Sequence, residues 1–215
     1  VPEPFSTRDA MCAGTAGYTA ALAVGSLVSH GVKPGDGEVL VTGASGGLGG
    51  FAVMLLSSLG YTVAASTGRA EHASYLRGLG AEVVVGRDEL STPHKPLTKG
   101  RWSGVVDSVG GLVLANACAG VKPRGAVAAC GNAGEMELPM TVAPFILRGV
   151  TLYGIDSNHA PTDERTAAWT LLAQHIAPLR MHVVARETGL SGAIRTAGEM
   201  MGGQVRGRVV VDVRN

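Results

Sequence analysis

Charged residues are scarce in this sequence. Of its 215 residues only 16% are Asp, Glu, Lys or Arg, and the formal net charge is +1. A chain with so balanced a charge has no electrostatic means of attracting nucleic acid or an acidic membrane surface, so we expect neither partner. Because 46% of the residues are hydrophobic, we expect a globular fold with a substantial core.

Cysteine and histidine are too few and too scattered to indicate a metal site. The three cysteines, Cys12, Cys118 and Cys130, lack metal or redox spacing, so we expect them to be small packing residues of a cytoplasmic protein. None of the six histidines forms an H-x-x-x-H pair or lies at ligand spacing from a cysteine. We also expect that no stretch is long and apolar enough to be a transmembrane helix, and we find no signal peptide.

Two catalytic patterns can be set aside. The letters of Gly43–Gly47 match G-x-S-x-G, but this serine lies within the glycine turn described next, so we do not interpret it as the nucleophile elbow of a hydrolase. None of the four tyrosines is followed four residues later by lysine, although short-chain dehydrogenases need such a pair. That family is the alternative interpretation of the glycine pattern described next, and the missing lysine disfavours it.

The most informative segment that is present runs from Val39 to Gly50. An apolar strand leads into a G-x-G-x-x-G turn with alanine in its first position, and an apolar helix follows. This arrangement places free backbone N–H groups at a helix N-terminus, where a dinucleotide pyrophosphate binds. We predict Gly46, Gly47 and Leu48 as N–H donors, assisted by the hydroxyl of Ser45; the alternative is a plain tight turn that packs the helix on the strand.

The end of the second predicted strand indicates which nicotinamide cofactor binds. An NAD site places a carboxylate there, but the segment Ala64–Arg69 contains no acid and the first one is Glu71. Hydroxyls and a guanidinium instead attract a 2′-phosphate, so we predict NADPH. For Arg69 the alternative is a solvated surface arginine. The predicted 2′-phosphate residues are Ser66, Thr67 and Arg69, and Gly68 between them is also predicted to bind the cofactor.

Apolar strands alternate with helices along the chain, which predicts an α/β fold with a doubly wound, parallel, six-stranded Rossmann sheet. The predicted strands are Glu38–Thr42, Tyr61–Ser66, Ala81–Val85, Gly104–Ser108, Gly125–Cys130 and Thr151–Ile155. The predicted helices are Ala10–His30, Leu48–Leu59, Glu71–Leu79, Leu112–Ala119, Asp163–Ile176 and Ala193–Met201. Two further strands are predicted at His182–Ala185 and Gly207–Val213.

Ligand-facing loops of such a sheet lie at the carboxyl ends of its strands. We therefore expect the ends of the fourth, fifth and sixth strands to face the nicotinamide half of the cofactor. We interpret Asp107 as a carboxylate that orders its loop, and for Asp156 that structural role and a role at the cofactor stay equal alternatives. The predicted cofactor residues at these ends are Ser108, Val109, Cys130, Gly131, Asn132, Ile155 and Ser157.

Five segments together resemble the zinc-free medium-chain dehydrogenase/reductases, and within them the acrylyl-CoA reductase and quinone oxidoreductase subfamily. These segments are Gly14–Ala20, Val41–Gly49, Thr67–Arg69, Val127–Gly131 and Pro144–Arg148. The resemblance implies a GroES-like catalytic domain ahead of the Rossmann domain, which this chain lacks. It also implies that Thr15 lies near the nicotinamide; the alternative is an ordinary helix-start residue.

The resemblance sets the expected domain organisation. Residues 1–158 would form the Rossmann NADP-binding domain, and residues 159–215 would belong to, or pack on, the absent catalytic domain. The chain begins at Val1 without methionine, in a Pro-rich segment, so we expect a fragment of a longer protein. Members of this group are often homodimers, and the segment Thr151–Ile155 is the candidate edge for such a contact.

The implied reaction is hydride transfer from NADPH to the β-carbon of an α,β-unsaturated thioester or ketone, such as acrylyl-CoA. The proton donor is expected in the missing domain or in solvent, so no catalytic residue is assigned. Two alternatives stay open: an NADPH:quinone oxidoreductase, and a non-catalytic NADPH-binding module or structural protein.

Overall fold

The computed structural model describes all 215 residues, Val1–Asn215, and its centre is a six-stranded parallel sheet. The strands are β1 (Glu38–Val41), β2 (Val63–Thr67), β3 (Val83–Gly86), β4 (Trp102–Asp107), β5 (Val121–Ala129) and β6 (Thr151–Gly154). Their order across the sheet is β3-β2-β1-β4-β5-β6. The chain direction across the sheet reverses between β1 and β4, which opens a crevice at their carboxyl ends. The predicted Rossmann architecture is therefore confirmed.

Nine helices surround the sheets. They are α1 (Thr7–His30), α2 (Gly47–Ser58), α3 (Ala73–Leu79), α4 (Asp88–Ser91), α5 (Gly111–Ala119), α6 (Ala143–Arg148), α7 (Thr162–His175), α8 (Pro178–Val184) and α9 (Ala193–Met201). Alternate strand residues point to opposite faces, so Val39 and Val41 join one buried cluster while Leu40 joins the other. Each face of the sheet is thus covered by its own apolar layer.

The first helix consists of two segments joined at a kink. Gly14 has φ 48° and ψ −154°, a backbone conformation that only glycine adopts readily. The guanidinium of Arg208 donates from Nε to the Cys12 carbonyl at 2.8 Å and from Nη2 to the Met11 carbonyl at 3.2 Å. An arginine from the end of the chain therefore caps the short segment that precedes the kink.

Our prediction that no stretch is long and apolar enough to cross a membrane is wrong for α1. Its 24 residues meet the requirement by length and composition alone, with a mean hydropathy of 1.4 in the relevant window. More than half of that window, 56%, is buried inside the protein, where α1 packs against α2 and α7. A core helix has the same composition as a spanning helix because both are surrounded by apolar groups.

The C-terminal residues pack on the outer side of α1. On α7, Trp169 stacks on Tyr18 with ring centroids 6.2 Å apart, and Leu172 is fully buried. A small parallel sheet follows, formed by β7 (Ala185–Gly189) and β8 (Arg208–Asp212). The boundary predicted between residues 158 and 159, and the packing of 159–215 on a further domain, stay predictions.

One predicted strand is wrong. Residues His182–Ala185 were expected to be extended, but α8 continues to Val184 and the strand begins only at Ala185. Pro178 occupies the first turn of α8, a position that proline favours. Met181 and Val184 then lie three residues apart on the buried face, so helical spacing buries both apolar side chains.

Candidate functional site

A cleft of about 590 Å³ opens at the carboxyl ends of β1, β2 and β4. Its base is the turn between β1 and α2, and its two walls come from the segments that follow β2 and β4. Seven of the predicted cofactor residues line it: Ser45, Gly46, Gly47, Leu48, Arg69, Ser108 and Val109. Its position coincides with the crevice where open α/β sheets bind ligands.

The glycine turn, Gly43–Gly49, supplies free hydrogen-bond donors to this cleft. The N–H groups of Gly47 and Leu48 make no hydrogen bond in the chain, although Gly46 and Gly207 lie side by side in an isolated parallel bridge. No side chain caps the helix that they begin. The N–H of Gly46, predicted as a third donor, instead donates to the Gly43 carbonyl at 2.9 Å. It shapes the turn and is not free for a ligand.

Close packing fixes the position of this turn. A Cβ atom added to Gly49 would lie 2.5 Å from the Ala44 Cα and 2.8 Å from the Gly43 carbonyl carbon, both backbone atoms. Gly43 has φ +58°, which also favours glycine. Any side chain at Gly49 would force α2 away from the strand and its N–H groups away from the cleft.

Of the predicted 2′-phosphate residues, only Arg69 lines the cleft, on the wall that follows β2. Thr67 connects the glycine turn to Arg69: its Oγ1 is 3.2 Å from the Ser45 Oγ and accepts the Arg69 N–H at 3.2 Å. The Arg69 guanidinium makes no ion pair and no hydrogen bond, and it faces the cleft. Ser66 and Thr67 are only 2% and 5% exposed, and neither they nor Gly68 line the cleft, so their assignment to the cofactor stays a prediction.

Asp107 orders the opposite wall. Its Oδ1 accepts the Thr42 hydroxyl at 2.6 Å, and its Oδ2 accepts the N–H groups of Val109 at 3.2 Å and Gly110 at 2.8 Å. Burial raises the pKa of Asp107, while these hydrogen bonds act to lower it. The carboxyl group is fully buried and holds the loop after β4, which is the loop-ordering role that the sequence suggested.

The loop after β5 attaches to the loop after β4. The N–H of Ala133 donates to the Ser108 carbonyl at 3.2 Å, and that of Gly134 donates to the Val109 carbonyl at 2.8 Å. This pairing brings Ala133, Gly134 and Glu135 to the cleft, whereas the predicted Cys130, Gly131 and Asn132 do not line it. Their assignment to the cofactor stays a prediction.

Cys130 is held as a neutral thiol. Its Sγ donates to the Asp107 carbonyl at 3.0 Å, and burial raises its pKa to about 12. A thiol in this state is a poor nucleophile. Cys12 and Cys118 are also free, and both are buried as predicted.

Three other predicted residues lie outside the cleft. Ile155 lines a separate apolar groove between α1, β6 and α7, and Ser157 follows it at the same edge. The neighbouring Asp156 accepts two N–H groups of its own loop and the His159 ring, so its contacts are local. Thr15 is exposed just after the kink in α1, where the second helical segment begins beside the glycine turn.

Sequence reasoning missed several residues of the cleft. Arg87 and Glu135 each follow a strand of the sheet, so the carboxyl-edge rule used for the other loops applies to both. No local signal marked Gly203 and Val205, which reach the cleft from the C-terminal segment. That segment is attached where the Gly207 N–H donates to the Ser45 carbonyl at 2.9 Å.

No three side chains of His, Cys, Asp or Glu come together in a geometry that holds a metal ion. The cleft contains donors and cations suited to an anion, together with the apolar side chains of Leu48, Val109, Leu112 and Val113. Such a lining suits a ligand that carries both phosphate and flat ring systems.

Comparison with known proteins identifies close relatives. Residues 47–174 match the model of the zinc-binding dehydrogenase family. The chain is 49% identical to the acrylyl-CoA reductase AcuI of Ruegeria pomeroyi, over 99% of this chain and 65% of that protein.

Two solved structures have nearly the same fold. The yhdH oxidoreductase from Salmonella enterica in complex with NADP is 46% identical, with a TM-score of 0.96, over 99% of this chain and 65% of that one. The Bacillus subtilis protein yhfP with NAD bound is 43% identical, with a TM-score of 0.94 and the same coverage. The chain thus spans about 65% of the length of these relatives.

Proposed function

This chain belongs to the zinc-binding dehydrogenase family, and we propose that it is the cofactor-binding part of an NADPH-dependent reductase. One observation carries the proposal: the free N–H groups of Gly47 and Leu48 lie in the same cleft as the unpaired guanidinium of Arg69. The two N–H groups suit a pyrophosphate, and the Arg69 guanidinium suits the additional phosphate of NADPH. The complex of a close relative with NADP supports this choice, although another relative was solved with NAD.

The cofactor would supply the hydride, and this chain would bind and orient it. The glycine turn holds the pyrophosphate, and the Asp107-ordered wall holds the ribose and nicotinamide half in place through Ser108 and Val109. The substrate would be an α,β-unsaturated thioester or ketone of the acrylyl-CoA kind, reduced at its β-carbon. The name of the Ruegeria pomeroyi relative supports this substrate class.

We further propose that the remaining wall of the substrate site comes from an N-terminal GroES-like domain, on which residues 159–215 would pack. The chain spans about 65% of its relatives' length, which supports this division. No catalytic residue is assigned on the present chain, and zinc independence stays a prediction. An edge contact through β6 would join two copies into a homodimer. Light scattering would then measure twice the mass of the monomer.

Titration calorimetry with NADPH and NADH tests the cofactor assignment. We expect NADPH to bind more tightly, and the Arg69→Ala variant to lose about tenfold in NADPH affinity with NADH affinity nearly unchanged, because one charge-assisted contact to the 2′-phosphate is lost. An equal loss for both cofactors would contradict the phosphate assignment. No binding of either cofactor would overturn the proposed function itself.

Turnover distinguishes the remaining alternatives. A Bacillus subtilis relative, 44% identical, is named as a candidate quinone oxidoreductase, so quinone reduction is the second candidate. In a protein that carries both domains, NADPH oxidation with acrylyl-CoA but not with quinones supports the enoyl-thioester reductase. The reverse result supports the quinone reductase, and tight binding without turnover supports a non-catalytic module.

A further inference from the structure

We propose that Arg87 is a second cationic arm of the 2′-phosphate site and acts beside Arg69 in selecting NADPH. This inference rests on the proposed function. Arg87 directly follows β3, and its side chain lines the same cleft as Arg69. The sequence alone assigned it no role, because the residues that distinguish NADPH from NADH were expected only at the end of β2.

The backbone of Arg87 is fixed on both sides. Its N–H donates to the Thr67 carbonyl at 2.9 Å, and its carbonyl accepts the Leu90 N–H at 2.8 Å and the Ser91 hydroxyl at 2.9 Å. Thr67 is the same residue whose hydroxyl positions Arg69. Thr67 therefore positions the backbone of both arginines, and their side chains enter the cleft from adjacent strands.

Gly68 shows where the Arg87 side chain lies. A Cβ atom added to Gly68 would lie 2.5 Å from the Arg87 Cζ, 2.6 Å from Nη2 and 2.7 Å from Nε. Gly68 does not have a positive φ, so its backbone does not itself require glycine. Because Gly68 has no side chain, it leaves room for the Arg87 guanidinium, which lies across Gly68, next to Arg69.

Both guanidinium groups lack partners. Neither guanidinium takes part in a salt bridge, a hydrogen bond or a cation–π contact within the chain, whereas Arg101, at the amino end of β4, pairs with Glu38 at 2.9 Å. An exposed arginine is often merely solvated. Two unpaired arginines on one wall, with a glycine that makes room for one of them, point instead to a doubly charged anion.

Calorimetric titrations of the Arg87→Gln variant test this inference, with NADPH, NADH, 2′,5′-ADP and 5′-AMP as probes. We expect about tenfold weaker binding of NADPH and 2′,5′-ADP, and changes within about twofold for NADH and 5′-AMP. Arg77→Gln is the matched control: Arg77 is exposed on α3, has no ion pair and lies outside the cleft, so its loss should change none of the four affinities.

The Gly68→Ala variant supplies an independent test. Its methyl group should displace the Arg87 guanidinium and weaken NADPH binding in the wild-type background, but should have no further effect in Arg87→Gln. Equal losses for NADPH and NADH, unchanged NADPH affinity in Arg87→Gln, or a Gly68→Ala effect that persists without Arg87 would each overturn the inference. In each of these results the wild type still binds NADPH, which distinguishes them from failure of the proposed function.

Discussion

The two walls of the cleft are built in opposite ways. On the side of the glycine turn, the backbone N–H groups of Gly47 and Leu48 and the guanidinium groups of Arg69 and Arg87 have no partners in the chain. On the other side, the β4–β5 loop pair, residues 108–111 and 130–135, is held together by hydrogen bonds from Val109 and Gly110 to the Asp107 carboxylate and from Ala133 and Gly134 to the carbonyls of the β4 loop.

Because of this difference, the two sides of the cleft are suited to different parts of a ligand. Polar groups without hydrogen-bond partners destabilise the protein unless a ligand or water binds to them. The glycine-turn side is therefore suited to bind charge. The β4–β5 loop pair presents short side chains and backbone in a fixed position. It is suited to shape the space beside an uncharged ring and its ribose.

The largest effect is expected from Gly49→Ala, which tests whether the glycine turn depends on close backbone contact. The added methyl group would meet backbone atoms of Gly43 and Ala44 that cannot move independently. We expect the free energy of unfolding to fall by about 3 kcal/mol or more in chemical denaturation. The matched control is Gly78→Ala on α3, where an added Cβ meets nothing within 4 Å, so stability should rise by about 0.5 kcal/mol.

A smaller loss is expected from Asp107→Asn, which tests whether the β4–β5 loop pair depends on one buried acceptor. The amide NH₂ would replace one carboxylate oxygen and face either the Thr42 hydroxyl or the N–H groups of Val109 and Gly110. We expect a loss of about 2 kcal/mol in the free energy of unfolding. Glu137→Gln makes the same chemical change at an exposed position without hydrogen bonds, and a similar loss there would contradict this account.

A third test changes no residue and is a chemical assay of Cys130. Its folded-state pKa of about 12 lies above the ordinary value of 9.0, so the reactive thiolate is suppressed at neutral pH and increases only as the pH rises towards 12. Alkylation of the native protein at pH 8 should be at least about a hundredfold slower than in denaturant. Rapid native labelling of Cys130, located by mass spectrometry, would show that the loop pair opens readily.

Much of the fold was accessible to local reasoning. The apolar strand before Gly43, the turn and the helix after it follow from short-range preferences, and all six strands of the main sheet were predicted to within a few residues. Helix α9 was predicted with the bounds that the structure has. The wrong strand at His182–Ala185 lies where Val183 and Val184 favour extension locally but packing favours a helix.

The sequence alone determined the sheet, the glycine turn and the absence of an acid before Arg69, because each depends on residues close together in the chain. Tertiary structure decided which groups stay free, since only it shows that the Gly46 N–H is used within the turn and that Asp107 is enclosed by the loops. It also brought Arg87 across Gly68, and Gly203 and Val205 to the cleft. Such contacts join distant parts of the chain, and no local periodicity records them because their partners meet only when the core is packed.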